Sequence, residues 1–543
     1  MSQVEDIIRY AREGARLFHA PDGTAYAAVE VDGHLETHAI RSVRFRDWIL
    51  MRFLQQHGRA PNSQLLTDAL NTIRAIAVYH GPEMPVFVRV AEHEGDVYID
   101  LGNENWDVVR VTREGYEVVP HPPVGFVRKA GFAPLPYPAG EGTIDDLRPF
   151  LNIRRDEDFM LVAAWAAFSL SPRGPYPVLV LQGEQGSAKS TTVRVLRALV
   201  DPTVEPLRAL PRSERDLAIA AGNVWVLAFD NLSGIRDWLS DALCRLATGG
   251  GFATRMLYTD DEEIIFSARR PIILNGIDDI ATRGDLQERS VLVSLPSILE
   301  EERREENTFW AEFEAARPRI FGALLSGISA ALRNADHVHL ERKPRMADFA
   351  VGATAMEDAF GWEPGSFIEA YEASRQQASE TLLANEPIAE AIEKLLEDGR
   401  SYGRENVWIG TATELLEMLG FYVNDTVKRS KAWPGGPQVL SRRLKRIAPA
   451  LRSAGIEYTE NEEGHHKKKV KTLRKLVRND EQAQDTSEET SEEEVSDDEV
   501  SEGEDEHEEQ ADSDREERRR RGNPFRSRFD LDNAREPEDA DAE

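Results

Sequence analysis

Residues 183–190 (GEQGSAKS) combine small side chains with one lysine and one hydroxyl. Small residues let successive backbone N–H groups close around phosphate oxygens, and a helix starting there adds a favourable dipole. The string is one residue away from the phosphate-binding pattern G-x-x-x-x-G-K-[ST]. The residues expected to bind nucleotide are Gly183, Glu184, Gln185, Gly186, Ser187, Ala188, Lys189, Ser190 and Thr191. Lys189 would reach the β- and γ-phosphates, and Ser190 would ligate the Mg²⁺ that accompanies ATP. Ala188 stands where the pattern has glycine, and alanine disfavours positive φ, so loop geometry is in question there. A plain strand–turn–helix crossover opening on Lys-Ser is the competing reading.

Further strings set polar residues beside apolar runs. Residues 224–231 (VWVLAFDN) describe a buried strand ending in Asp230, which would hold Mg²⁺ directly or through water; a strand that ends in a turn Asp is the alternative. Residues 270–277 (RPIILNGI) deliver Asn275, placed to orient an attacking water; a turn Asn capping a strand is the alternative. In residues 282–296 (TRGDLQERSVLVSLP), Arg289 opens another apolar strand and Arg283 sits nearby. An arginine from a neighbouring subunit stabilises charge in phosphoryl transfer; a surface salt bridge is the alternative for both. Residues 248–268 (TGGGFATRMLYTDDEEIIFSA) read as a glycine-led hairpin with Asp260 and Asp261 at the bend, or as an ordinary surface hairpin.

The elements that must position these residues follow from the hydrophobic pattern. An apolar strand (178–181) enters the loop, and a helix with Val193, Leu196 and Val200 on one face leaves it. Residues 146–300 alternate strands with helices, as an α/β sheet does. Residues 1–145 read as an α+β unit, helix-rich at first. Short strands follow at 85–91, 96–101, 106–112 and 116–119, then Pro-rich connectors from His121 and Pro134. Residues 301–385 carry helical periodicity in Phe309, Phe313, Ile320, Phe321, Leu324 and Leu325. No internal repeat is present.

Residues 386–478 form a small basic module. Two helices (388–396 and 412–419) precede a basic amphipathic third at 438–454, with Leu440, Leu444, Ile447 and Leu451 on its buried face. Pro449 is expected to kink it or end it early. Arg442, Arg443, Lys445 and Arg446 remain for solvent or phosphate, and an extended hairpin follows with Lys467, Lys468 and Lys469. Helix, helix, basic helix and basic wing describe a winged helix, which lays its third helix in the major groove of duplex DNA. A protein-docking wing is the alternative. His465 and His466 lie in the wing beside Glu462 and Glu463, without the spacing of a preformed metal site.

The chain has 543 residues and a net charge of -31, with 28 acidic and 8 basic residues between Asp480 and Glu543 alone. The acidity is therefore mostly a property of residues 479–543, a low-complexity stretch expected to be disordered. It would shield the basic wing in cis as a phosphate mimic, or simply solubilise the chain. One cysteine, Cys244, excludes an internal disulfide and any Cys-cluster metal site. No apolar run reaches the roughly 18 residues of a membrane span, and the N-terminus shows no signal-peptide pattern. A soluble, cytoplasmic protein without membrane association is expected.

The order of loop, acidic strand, glycine-led hairpin, Asn-ended strand and arginine resembles the superfamily 3 helicases, a branch of the AAA+ ATPases. More closely, GEQGSAKST, AFDNLSGI, LCRLATGGGFATR, LYTDDEE and RPIILNGI are similar to the helicase half of phage and plasmid primase-helicases. The resemblance is strong over 146–300, moderate over 301–460 and weak over 1–145. It implies an α/β fold: an AAA+-like P-loop ATPase core with an α+β N-terminal domain, a helical region, a C-terminal winged helix and an acidic tail. It also implies Lys189, Asp230, Asn275 and a trans-acting Arg289 as catalytic residues. It implies an ATP-hydrolysing DNA helicase, a homo-hexamer, in replication of a mobile element. Single-stranded DNA would pass a pore lined by the hairpin, with Arg255 in contact and a separate primase or polymerase as partner. A nucleotide-switched DNA-binding ATPase without unwinding is the other expectation. Two departures bear on that choice. Asn231 replaces the family's second acid, leaving Asp230 both roles or drawing in Glu184. The hairpin tip is acidic, where relatives carry Lys or His. Asp96 and Asp100 share a strand face but lack the His motif or third acid of a primase centre, so the N-terminal region reads as a binding or adaptor module.

Overall fold

A computed structural model describes residues 2–250, 252–255, 263–266, 268–277, 280, 283–398, 406–463 and 468–476. All of them lie in one compact unit, Met1–Val477. The acidic stretch 479–543 and the hairpin tip with Asp260 and Asp261 lie outside the described residues.

The chain opens with helix α1 (Gln3–Gly14), capped reciprocally by Ser2 and Glu5. An antiparallel sheet follows, of β1 (Ala15–His19), β2 (Ala25–Val31) and β3 (His34–Ala39), then helices α2 (Val43–His57) and α3 (Ser63–His80). Their shared core includes Ile7, Val29, Phe45, Ile49, Phe53 and Ile73. This first sheet is absent from the sequence reading, which starts the strands at residue 85. The reason is visible in β2: Ala25 to Val29 are all buried, and a largely alanine run gives neither alternation nor β-branched enrichment.

The strand expected over 85–91 is broken into β4 (Val86–Phe87) and β5 (Val90–His93) by Arg89, whose φ is +66°. β5 continues a meander through β6 (Asp96–Asp100), β7 (Val108–Val111) and β8 (Tyr116–Val119), and β4 pairs in parallel with β9 (Gly125–Phe126). Asp96 is bonded to Arg110 and buried Asp100 to Arg128, so both carboxylates are occupied by arginine. The Pro-rich connector is packed down: Ala139 N–H donates to Pro318 O, and a Cβ on Gly322 would lie 2.0 Å from Ala139 O.

The central sheet has the order β11-β14-β10-β15, built from β10 (Val178–Gln182), β11 (Leu227–Leu232), β14 (Ile272–Gly276) and β15 (Ser290–Ser294). All its pairings are parallel. Beyond β11, Arg208 bridges Phe229 in parallel and extends the order by one short step. Side chains alternate between two layers. Leu179, Leu181, Ile273 and Val293 face α4 (Asp156–Phe168) and α5 (Lys189–Val200). Val178, Val180, Phe229 and Leu274 face α6 (Glu214–Asn223) and α7 (Asp237–Thr248). Strands β12 (Phe252–Arg255) and β13 (Glu263–Phe266) form the expected hairpin stem, with Arg255 opposite Glu263. The short helix α8 (Gly284–Gln287) leads into β15.

The helices α9 (Glu306–Asn334), α10 (Ala347–Thr354), α11 (Glu357–Phe360) and α12 (Ser366–Ala384) complete the first layer. One apolar core runs without a break from Val90 to Tyr371, joining the β5–β8 meander, the first face of the central sheet and these helices.

A separate core serves the C-terminal module: α13 (Pro387–Glu397), β16 (Val407–Gly410), α14 (Ala412–Leu419), α15 (Asp425–Arg429), α16 (Pro437–Ser453), β17 (Ile456–Glu463) and β18 (Lys468–Lys475). Its sheet order is β16-β18-β17. Helix α16 continues past Pro449, so the proline does not end it early. An interior proline costs about 3 kcal/mol. Ala450 and Leu451, both buried beyond it, repay a similar amount at roughly 1.5–3 kcal/mol for a leucine. No helix among the described residues is long and apolar enough to cross a membrane, and Cys244 is buried.

Candidate functional site

The loop 183–188 joins the carboxyl end of β10 to α5. Three of its residues have positive φ: Gly183 (+151°), Gly186 (+85°) and Ala188 (+58°). A Cβ on Gly183 would lie 2.4 Å from Leu295 O, so close approach as well as conformation demands glycine there. Ala188 adopts the left-handed conformation with a side chain that opposes it, a strain of about 1–2 kcal/mol. The loop is fixed from outside. Asn152 Nδ2 donates to Ser187 O (3.1 Å) and Pro296 O (2.6 Å), and Ile298 N–H donates to Gly186 O (3.2 Å). Lys189 Nζ donates to Gly183 O (2.8 Å), Glu184 O (2.7 Å) and Ser187 Oγ (3.2 Å). Burial lowers its pKa, against the pull of Asp230.

Ser190 Oγ donates to Asp230 Oδ1 at 2.9 Å. Asp230 sits in an irregular stretch of β11, where the register with β14 shifts between Phe229 and Leu232. Asn231, at φ +57°, turns its N–H to Asp230 Oδ1 and Asn275 Oδ1, both at 2.9 Å. Asn275 is fully buried, and its Nδ2 has no partner among the described residues. Glu184 accepts from Ser297 Oγ at 3.0 Å, on the outer side of the loop. Gln185 is exposed, and Thr191 lies in the first turn of α5.

The fold therefore brings Lys189, Ser190, Asp230 and Asn275 to the carboxyl ends of three parallel strands. It does not bring Arg289 there. Arg289 precedes β15 and is joined to Val178 at the amino end of β10, five residues or about 16 Å of strand from the loop. Its Nη1 donates to Asp285 O. Arg283 is held in salt bridges by Asp237, Asp241 and Asp285.

Sequence reasoning missed two neighbours. Asn152 ties the loop down from a segment without a pattern. Arg208 lines an open cleft of about 520 Å³ with Asp230, Asn231 and Gly234, and its only signal is one bridge to β11. Missed too was the buried brace behind the site. Asp201 accepts from Arg89 Nε (3.0 Å), Arg197 Nη1 (3.1 Å) and the amides of Trp225 and Val226. Burial pushes the Asp201 carboxyl up, but Arg197 and Arg89 pull it below its ordinary value. The brace fastens the end of α5 to the start of β11. Among the described residues no cluster of three or more His, Cys, Asp or Glu could hold a metal.

On α16 the cations are less free than the sequence implies. Arg443 and Arg446 pair with Glu386, and Lys445 donates to Glu460 (3.0 Å). Glu460 also accepts from Lys471 and lies near Lys469, contacts that hold its carboxyl at about 2. Arg442 is exposed. Lys467, His465 and His466 lie outside the described residues, and Lys468 and Arg255 are described through their backbone pairing alone.

A mixed α/β chain with a parallel sheet and this cluster at its carboxyl edge belongs among replication proteins, as the family comparisons show. Residues 144–380 match the family of the actinomycete integrative conjugative element replication protein, and residues 388–490 match the RepA C-terminal domain of the same elements. Together they span well over half of the chain, which belongs to this RepA family. No curated protein matches it. Among solved structures it is similar to the A form apo structure of the NrS-1 C terminal region, at 13% identity over 88% of this chain and 99% of that one, with a TM-score of 0.35. A second apo structure of that region gives 12% identity, the same coverage and a TM-score of 0.34.

Proposed function

We propose that this replication protein is an ATP-driven DNA motor, a helicase or translocase acting as a ring of six copies, with a superfamily 3-like AAA+ core. The observation that carries the reading is the meeting of the 183–190 loop, the Ser190–Asp230 pair and Asn275 at the carboxyl ends of parallel strands, where such sheets bind ligands. Strand order supports it, with the Asn275 strand lying between the loop strand and the Asp230 strand.

Ser190 Oγ and the Asp230 carboxylate are hard oxygen donors 2.9 Å apart, a set that fits Mg²⁺. Bound with ATP, the ion would supply charge neutralisation at the phosphates. Lys189 would exchange its three loop partners for phosphate oxygens. Asn275 has its oxygen committed to Asn231 N–H, which leaves its Nδ2 to hold a water. Arg289 is too distant to serve its own chain's nucleotide and suits a neighbouring copy. The module around α16 would contact duplex DNA through Arg442 and the β17–β18 wing.

The test is steady-state ATPase of wild type and Lys189→Ala, with and without single-stranded DNA. DNA-stimulated turnover that vanishes in the variant is the expected result. ATP binding with negligible, DNA-insensitive turnover would overturn the motor. The second reading, a nucleotide switch without unwinding, is favoured by one observation: the residue after Asp230 is an exposed, left-handed Asn with no carboxylate. Strand displacement on a forked substrate separates the two.

A further inference from the structure

Helix α16 carries two stripes. Leu440, Leu444, Ile447 and Leu451 face the module's own core. The basic stripe lines a groove of about 680 Å³ whose far wall is Glu288 and Arg283 with its partners Asp237 and Asp285, and whose near wall includes Arg442, Lys445 and Arg446. At one end the groove closes completely. Gly284, the buried first residue of α8, abuts α16: a Cβ there would lie 2.6 Å from Arg446 O and 4.0 Å from Pro449 Cγ. Its φ is not positive, so glycine is required there by the neighbouring backbone alone. Within the module itself, Glu386, 7% exposed, holds Arg443 and Arg446.

This docking conflicts with DNA binding. A helix with side chains is about 10–12 Å across, and the major groove is about 12 Å wide, so a helix in that groove needs both flanks free. Here one flank is against α8, and Glu288 beside the Asp237–Arg283–Asp285 network stands where phosphates would pass. We infer that the α8–α16 contact is an autoinhibitory dock: duplex DNA and α8 compete for α16, and binding requires the C-terminal module to leave the core. This rests on the reading of α16 as the duplex-contacting helix.

The test uses the full chain and a short fluorescein-labelled duplex at fixed salt, read by anisotropy. Gly284→Val drives α8 from α16, and Gly284→Ala does so with a single methyl, whose Cβ would lie 2.6 Å from Arg446 O. Hydrogen exchange of the α8 amides without DNA reports undocking by itself. If the docked form makes up nine-tenths of the molecules, release tightens the apparent Kd about tenfold. Faster α8 exchange with tighter duplex binding in both variants is the expected result. Should Gly284→Val fail to fold, Gly284→Ala decides alone. Faster exchange with unchanged duplex affinity overturns the inference while leaving ATP binding untouched. Absence of duplex binding by every form, with exchange raised, overturns it through the failure of the α16 reading.

Discussion

Asn231 donates its backbone N–H to Asn275 Oδ1 at 2.9 Å, joining the acid strand to its neighbour beside the nucleotide loop. The bond depends on the left-handed backbone at 231, which follows the irregular register of β11. Asn enters that conformation far more readily than Glu does. The missing second acid is therefore tied to how the strand is built. Asn231→Glu is expected to lose about 1 kcal/mol of stability without raising turnover. Thermal melting and steady-state ATPase check it.

Ala188 gives the opposite case, a residue strained where the pattern has glycine. Ala188→Gly removes the strain but adds freedom to the unfolded chain, a partly cancelling effect of about 0.4–1 kcal/mol. A net gain of about 0.5 kcal/mol is expected, with ATP bound at least as tightly. Denaturant unfolding with and without ATP measures both.

The Asp201 brace holds two buried arginines. Asp201→Asn leaves them uncompensated, and breaking a buried pair in this way costs about 3–5 kcal/mol. Unfolding midpoints should fall accordingly. Replacing Arg110, whose pair with Asp96 is partly exposed, should leave them almost unchanged.

Glu460 predicts an acid-side transition in the C-terminal module. Its folded carboxyl is at about 2, below its ordinary value of 4.5. A depressed carboxyl contributes stability that is present above the unfolded value and lost as pH falls through the folded one. Melting of the module should therefore decline between about pH 4.5 and pH 2. In Glu460→Gln that part of the decline should be gone. A slope equal to wild type would reject the assignment.

The central sheet was legible because residues 178–181, 224–229 and 272–274 are unbroken apolar runs, the last two followed directly by Asp230 and Asn275. The helix after the loop was legible from Val193, Leu196 and Val200 for the same reason. The first sheet was not, because alanine carries no strand signal. Asn152, Arg208 and Arg89 reach their partners from far away in the chain, and no local spacing encodes those contacts; the Arg197–Asp201 pair, four residues apart, is the local part of the brace. The cations on α16 were found by periodicity, but their partner Glu386 stands on another element. Their charge was readable and their neutralisation was not.

The unbroken core from Val90 to Tyr371 has a consequence for how such proteins can be recombined. A cut at the Pro-rich connector near residue 145 would strip the β5–β8 meander from α9 and leave an apolar wound on both pieces. The first 80 residues keep one whole core among themselves and share a smaller one, where Phe18, Tyr26 and Ala28 meet Val88 and Val127. The seam for exchanging front ends between relatives therefore lies near residue 82, and a chimera joined there should fold where the apolar partners of Phe18 and Tyr26 are kept.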